Sequence, residues 1–104
     1  MKIAPKKNLG QNFLIDENVI DQIIDIANIS REDSVLEVGP GTGALTKKII
    51  EKKPKEITVI EKDKRLANSL KENFSEKIKV INEDMLNFSY RDYSDKNLII
   101  FGNL

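Results

Sequence analysis

Val35-Leu36-Glu37-Val38-Gly39-Pro40-Gly41-Thr42-Gly43-Ala44 is the stretch from which the fold can be read. An apolar rhythm passes into three glycines at alternate positions, and Leu45, Ile49 and Ile50 then recur at helical spacing. A strand that feeds a glycine-rich turn and opens a helix is how a parallel α/β sheet builds a nucleotide site. Glycine lets the backbone turn tightly and approach a ligand, and the amino end of the helix offers free N–H groups. The plainer alternative is a tight strand-to-helix turn that holds no ligand.

Working outward, Asp16 is a candidate helix cap, followed by Val19, Ile20, Ile23, Ile24 and Ala27 at helical spacing. A first strand is expected at about 34–38, and a helix from the glycine turn to about Lys53, where Pro54 stops it. Residues 57–60 read as a second strand and 65–74 as a helix with Leu66, Ala67, Leu70 and Phe74 on one face. Residues 78–81 and 98–101 read as third and fourth strands, with an irregular crossover and a short helix over 85–96. Strands alternating with helices imply parallel pairing. The wholly apolar fourth strand suits a position covered on both faces. The expected architecture is therefore α/β and Rossmann-like, with about four parallel strands and flanking helices.

Composition narrows the chemistry. With 104 residues the chain makes one small domain, and its 39% hydrophobic content is that of a folded protein rather than a disordered one. Basic and acidic residues balance at 17 each, so overall charge gives no pointer to a polyanionic partner. Cysteine and histidine are both absent, which excludes disulfides, thiolate or imidazole zinc sites, and Ser-His-Asp or Cys-His catalysis. The amino-terminal ten residues carry Lys2, Lys6 and Lys7 but no apolar core of a secretory signal, and no run is long enough to span a membrane. A cytoplasmic protein without membrane contact is the expectation.

Two further acids follow the second and third strands. Glu61 lies 22 residues beyond Gly39, where an acid can accept hydrogen bonds from both hydroxyls of a ribose. Alternatively it is one solvated charge in the run Glu61-Lys62-Asp63-Lys64-Arg65. Asp84 can accept from an exocyclic adenine amine while Met85 packs on the ring, or it can simply cap a turn. Gly39, Gly41 and Ala44 fit a loose dinucleotide spacing, and Gly39, Gly41 and Gly43 fit that of methyltransferases. Glu37 favours the latter: class I methyltransferases place an acid there, beside the amino-acid part of S-adenosylmethionine.

The segment Lys7-Asn8-Leu9-Gly10-Gln11-Asn12-Phe13-Leu14-Ile15-Asp16, taken with Glu37 to Thr46, Glu61, Asp84 and Asn103-Leu104, resembles the rRNA adenine N6-dimethyltransferases. The small-subunit enzymes are the nearer match, and the resemblance covers essentially the whole chain. It implies that Asn12 and Leu14 lie over the methionine end of S-adenosylmethionine, with the backbone of Gly39 and Gly41 against the same moiety. It further implies Glu61 on the ribose, Asp84 on the adenine amine, and Asn103 with Leu104 at the start of the motif surrounding the target adenine. Asn103 would serve both cofactor and target base. The implied partner is small-subunit rRNA, with Lys2, Lys6 and Lys7 available to phosphates.

On this reading residues 1–104 are the amino-terminal part of the methyltransferase domain. The rest of the target-base motif and a carboxyl-terminal helical domain lie beyond them, so the chain by itself is expected to be inactive. The exposed fourth strand could then pair with a second copy. Two other classes remain open on residues alone: an NAD-type oxidoreductase domain and a non-catalytic RNA-binding module of ribosome assembly.

Overall fold

The computed structural model describes residues 16–89, 91 and 97–102. Helix α1 (Glu17–Ala27) starts at Asp16, whose carboxylate accepts from the backbone N–H of Asn18 at 2.9 Å and of Val19 at 3.4 Å. It ends at Asn28, which takes the left-handed conformation (φ 51°) that a short polar side chain tolerates. Ile20 and Ile24, four apart and so on one face, are its buried residues.

Strand β1 (Ser34–Val38) is buried along its whole length. Helix α2 (Ala44–Glu51) follows the glycine turn and stops two residues earlier than its apolar spacing suggests. Lys52 and Lys53 donate to the carbonyls of Ile49 and Ile50 at 3.0 Å each, which tightens the last turn, and Lys53 is left-handed (φ 54°). A residue before proline is pushed out of the helical region, so Pro54 ends the helix through its neighbour. Strand β2 (Glu56–Ile60), helix α3 (Lys64–Phe74, capped by Asp63) and the short β3 (Lys79–Ile81) come next. A 3-10 turn (Met85–Asn87) lies between β3 and β4 (Leu98–Gly102).

All strands are parallel, in the order β3-β2-β1-β4. The chain thus steps outward from β1 through β2 to β3, then returns to the opposite side of β1 with β4. That reversal is the topological switch point beside which such sheets bind ligands, at the carboxyl ends of the strands.

Side chains alternate across β1 and divide the core. Val35 joins Ile20, Ile24, Leu45, Ile49, Ile57, Val59, Leu70 and Ile78, so α1, α2 and α3 all cover this one face. Leu36, Val38 and Ile60 face the other way, with Ile81, Met85, Phe88 and Leu98 packed against them. The expectation that β4 is covered on both faces is therefore corrected. Ile99 and Phe101 pack on the helix-covered face, but Ile100 is 55% exposed, because no described helix lies on its side of the sheet. Among the described residues β4 is an edge strand.

Candidate functional site

The glycine turn is built by backbone bonds before any side chain enters. Gly39 donates to Ile60 O at 2.9 Å, tying the end of β1 to the end of β2, and Gly43 donates to Pro40 O at 3.0 Å. Gly39, Gly41 and Gly43 all have positive φ (69°, 59° and 93°), which explains their alternate spacing. Gly43 has a second reason for lacking a side chain. A Cβ there would sit 2.8 Å from Phe74 Cε2 and 3.1 Å from Leu70 Cδ2, so this glycine lets α3 press against the turn. The third glycine serves packing.

Glu61 is buried, contrary to the solvated alternative, at 7% exposure. Its Oε1 accepts from Gly41 N at 3.4 Å and its Oε2 from Asp63 N at 2.9 Å. The carboxylate therefore links the glycine turn to the start of α3. Its backbone is fixed too: Glu61 N donates to Ile81 O, and Asn82 Nδ2 donates to Glu61 O at 2.8 Å and Lys62 O at 3.0 Å. Asn82 was not singled out from the sequence, and nothing in its position there marks it.

A cleft of about 270 Å³ opens at the carboxyl ends of β1, β2 and β3. Val38, Ile60 and Met85 are its apolar lining, and Gly39, Glu61, Lys62, Glu83 and Asp84 line it as well. Asp84 also caps the 3-10 turn, its Oδ1 accepting from Leu86 N at 2.9 Å. The capping alternative thus holds for one oxygen, in a residue that still lines the cleft. The structure brings Gly39, Gly41, Glu61 and Asp84 together as the sequence suggested. Asn12, Leu14, Asn103 and Leu104 lie outside the described residues. Clusters able to hold a metal ion are absent among the described residues.

Beneath the turn lies Glu37, 1% exposed at the register position opposite Val59 and Phe101. Its Oε1 accepts from Thr46 Oγ1 of α2 at 2.5 Å, while its Oε2 is buried with no hydrogen-bond partner among the described residues. Burial raises its carboxyl to about 7, a rise opposed by the Thr46 hydrogen bond and aided by the nearby Glu61 charge. Thr46 went unnoticed in the sequence. Its signal is a polar residue placed among Leu45 and Ile49, which are both buried on α2.

These features define a Rossmann-like methyltransferase fold: a parallel sheet, an acid and a glycine turn after β1, and acids ending β2 and following β3. The chain matches the ribosomal RNA adenine dimethylase family over residues 3–104 and belongs to it. It is 51% identical over its whole length to a protein of Pelagibacter ubique (strain HTCC1062) named ribosomal RNA small subunit methyltransferase A, and spans 39% of that relative. Among solved structures it resembles the 23S rRNA methyltransferase ErmE, with 37% identity and a TM-score of 0.65. That match covers 71% of this chain and 31% of the other. A dimethyladenosine transferase from Plasmodium falciparum gives 29% identity and a TM-score of 0.66, covering 71% and 28%. The chain therefore spans about two fifths of its curated relative and a smaller share of the two solved structures.

Proposed function

We propose that the chain is the cofactor-binding part of an enzyme that transfers methyl groups from S-adenosylmethionine to N6 of adenines in small-subunit rRNA. The observation that carries this reading is that Glu61 and Asp84 line one cleft, with Val38, Ile60 and Met85, beside the glycine turn. Family membership supports it, as do the printed names of the relatives, which describe methyl transfer to ribosomal RNA.

The donor set fits an adenosine. An ionised carboxylate offers about four acceptor positions, and Glu61 uses two of them on Gly41 N and Asp63 N, which leaves acceptors for two ribose hydroxyls. Asp84 spends one oxygen on Leu86 N and keeps the other for an exocyclic amine. Val38, Ile60 and Met85 give the ring an apolar slot from which water is displaced. The backbone of Gly39 and Gly41 takes the methionine end, with Asn12 and Leu14 over it.

S-adenosylmethionine supplies an electrophilic methyl group on a sulfonium. Asn103 and the backbone beside Leu104 would accept hydrogen bonds from the adenine amine, which concentrates its lone pair toward the methyl. Preoriented acceptors of this kind lower the barrier without a strong base, consistent with a chain that contains no histidine. The rRNA would be met through phosphate contacts, Lys2, Lys6 and Lys7 among them, whose strength falls with salt. The compartment we assign is the cytoplasm. Among the described residues no helix is long and apolar enough to cross a membrane.

Calorimetric titration with S-adenosylhomocysteine and NAD tests the cofactor. S-adenosylhomocysteine is expected to bind and NAD is not. NAD binding more tightly than S-adenosylhomocysteine would overturn the methyltransferase reading in favour of an oxidoreductase domain. RNA binding with no affinity for either would favour an assembly module.

A further inference from the structure

Among the described residues, Glu37 is the one buried ionisable group to which the proposed function gives no role. It is 1% exposed between β2 and β4 with Thr46 of α2 against it, yet only one of its oxygens is bonded among the described residues. Among the described residues its surroundings hold no compensating cation: Thr46 of α2 is its hydrogen-bond donor, and Glu61 following β2 is the charge that acts on it. The register neighbours Val59 and Phe101 are uncharged, and α3 meets the turn with Leu70 and Phe74. Helix α1 contributes Ile20 and Ile24 to this core, and Lys48 of α2 is turned to the surface against Asp21 of α1 at 3.4 Å. A buried carboxylate without a cation, with a second carboxylate nearby, is strongly disfavoured unless a positive charge arrives.

We infer that Glu37 is a proton-exchanging group of the binding site. It holds a proton on Oε2 in the free protein and releases it to solvent when the ammonium of the ligand's zwitterionic amino-acid end settles over the glycine turn. The inference rests on the reading above for where that end lies. Binding breaks the carboxylic O–H bond, the proton leaves to buffer, and the resulting carboxylate balances the ligand ammonium. Thr46 acts as a positioning residue. Its hydroxyl holds Oε1 and favours the ionised form, so it sets the pH at which the exchange occurs. Affinity for amino-acid-bearing ligands then rises with pH through the neutral range, while a neutral nucleoside binds without that dependence.

Calorimetry of S-adenosylhomocysteine binding in buffers of different ionisation enthalpy counts the protons. Release approaching one proton is expected at pH 6, falling to about a tenth at pH 8, where the free carboxyl has already ionised. 5′-Methylthioadenosine, which lacks the amino acid, should release none. Glu37→Gln should abolish the release. Thr46→Val should move it to higher pH, an arm that remains informative if the Gln variant fails to fold. Binding of S-adenosylhomocysteine without proton release at pH 6, or with release unchanged in both variants, overturns this inference and leaves the proposed function standing. Absence of binding overturns both.

Discussion

Replacing Glu37 by Gln should change how stability depends on pH, even without ligand. The carboxyl titrates near 4.5 in an unfolded chain and at about 7 in the folded one, chiefly because it is buried. Below pH 4.5 both states hold the proton and nothing is lost. Above it the unfolded chain gives up its proton while the folded chain keeps it, so stability falls by about 1.4 kcal/mol per pH unit until the folded carboxyl also ionises. The accumulated loss is about 2–3 kcal/mol between pH 5 and pH 8, a substantial share of the 5–15 kcal/mol typical of a domain. Gln carries no such penalty. Its amide oxygen can still accept from Thr46, and its NH₂ replaces the unpartnered oxygen with an unpartnered donor, at a fixed cost of about 1–3 kcal/mol. Urea unfolding of both proteins from pH 5 to 8 isolates the effect, since other groups contribute equally to each. The stability difference should shift by about 2–3 kcal/mol in favour of the variant as pH rises. Parallel pH profiles would show that Glu37 ionises as freely in the fold as outside it.

Gly43→Ala should destabilise the fold by about 2–4 kcal/mol, from left-handed strain plus displacement of Phe74 and Leu70, read as a lower urea midpoint. A midpoint within error of the parent would mean that α3 does not press on the turn. Glu61→Ala should weaken S-adenosylhomocysteine by about 1–3 kcal/mol in calorimetry; unchanged affinity in a folded variant would reduce Glu61 to a brace between the turn and α3. Asn82→Ala should weaken the same ligand less than Glu61→Ala does, because it frees the Glu61 backbone and leaves the carboxylate in place. The 104-residue chain should self-associate at high concentration through the open edge of β4, where Ile100 is 55% exposed. Light scattering that shows a monomer from micromolar to millimolar concentration would refute this.

The elements that sequence located well are those fixed by local chemistry. Asp16 caps α1, the glycines end β1, and Ile20, Ile24, Leu45 and Ile49 are buried where helical periodicity places them. Periodicity identifies the apolar side of a helix but not the sheet face it will meet. For that reason the placing of all three helices on one face, and the resulting exposure of Ile100, could not be read from the residues alone. The site divides similarly. Glu61 and Asp84 are marked by distance from the turn and by position at strand ends, because the cleft lies along those ends. Asn82 acts through backbone carbonyls 20 and 21 residues away, and Thr46 through a carboxylate nine residues away, pairings that exist only once strands and helix are packed.

One feature of β1 joins fold and site. Val35 and Glu37 point into the helix-covered core, and Leu36 and Val38 point to the face of the cleft. The side-chain period of a strand is two, so a slip of one residue would place Leu36 beneath the turn and move the carboxylate into the slot proposed for adenine. The slip is opposed from both sides. Gly39 N is bonded to Ile60 O, and Ser34 N to Asn97 O at 2.7 Å, so both ends of β1 are tied to its neighbours. Thr46 adds a third tie through Glu37 itself. The acid that weakens this core by its burial thus also helps fix the register that orients the glycine turn, with Val38 facing the cleft and the carboxylate held beneath the turn.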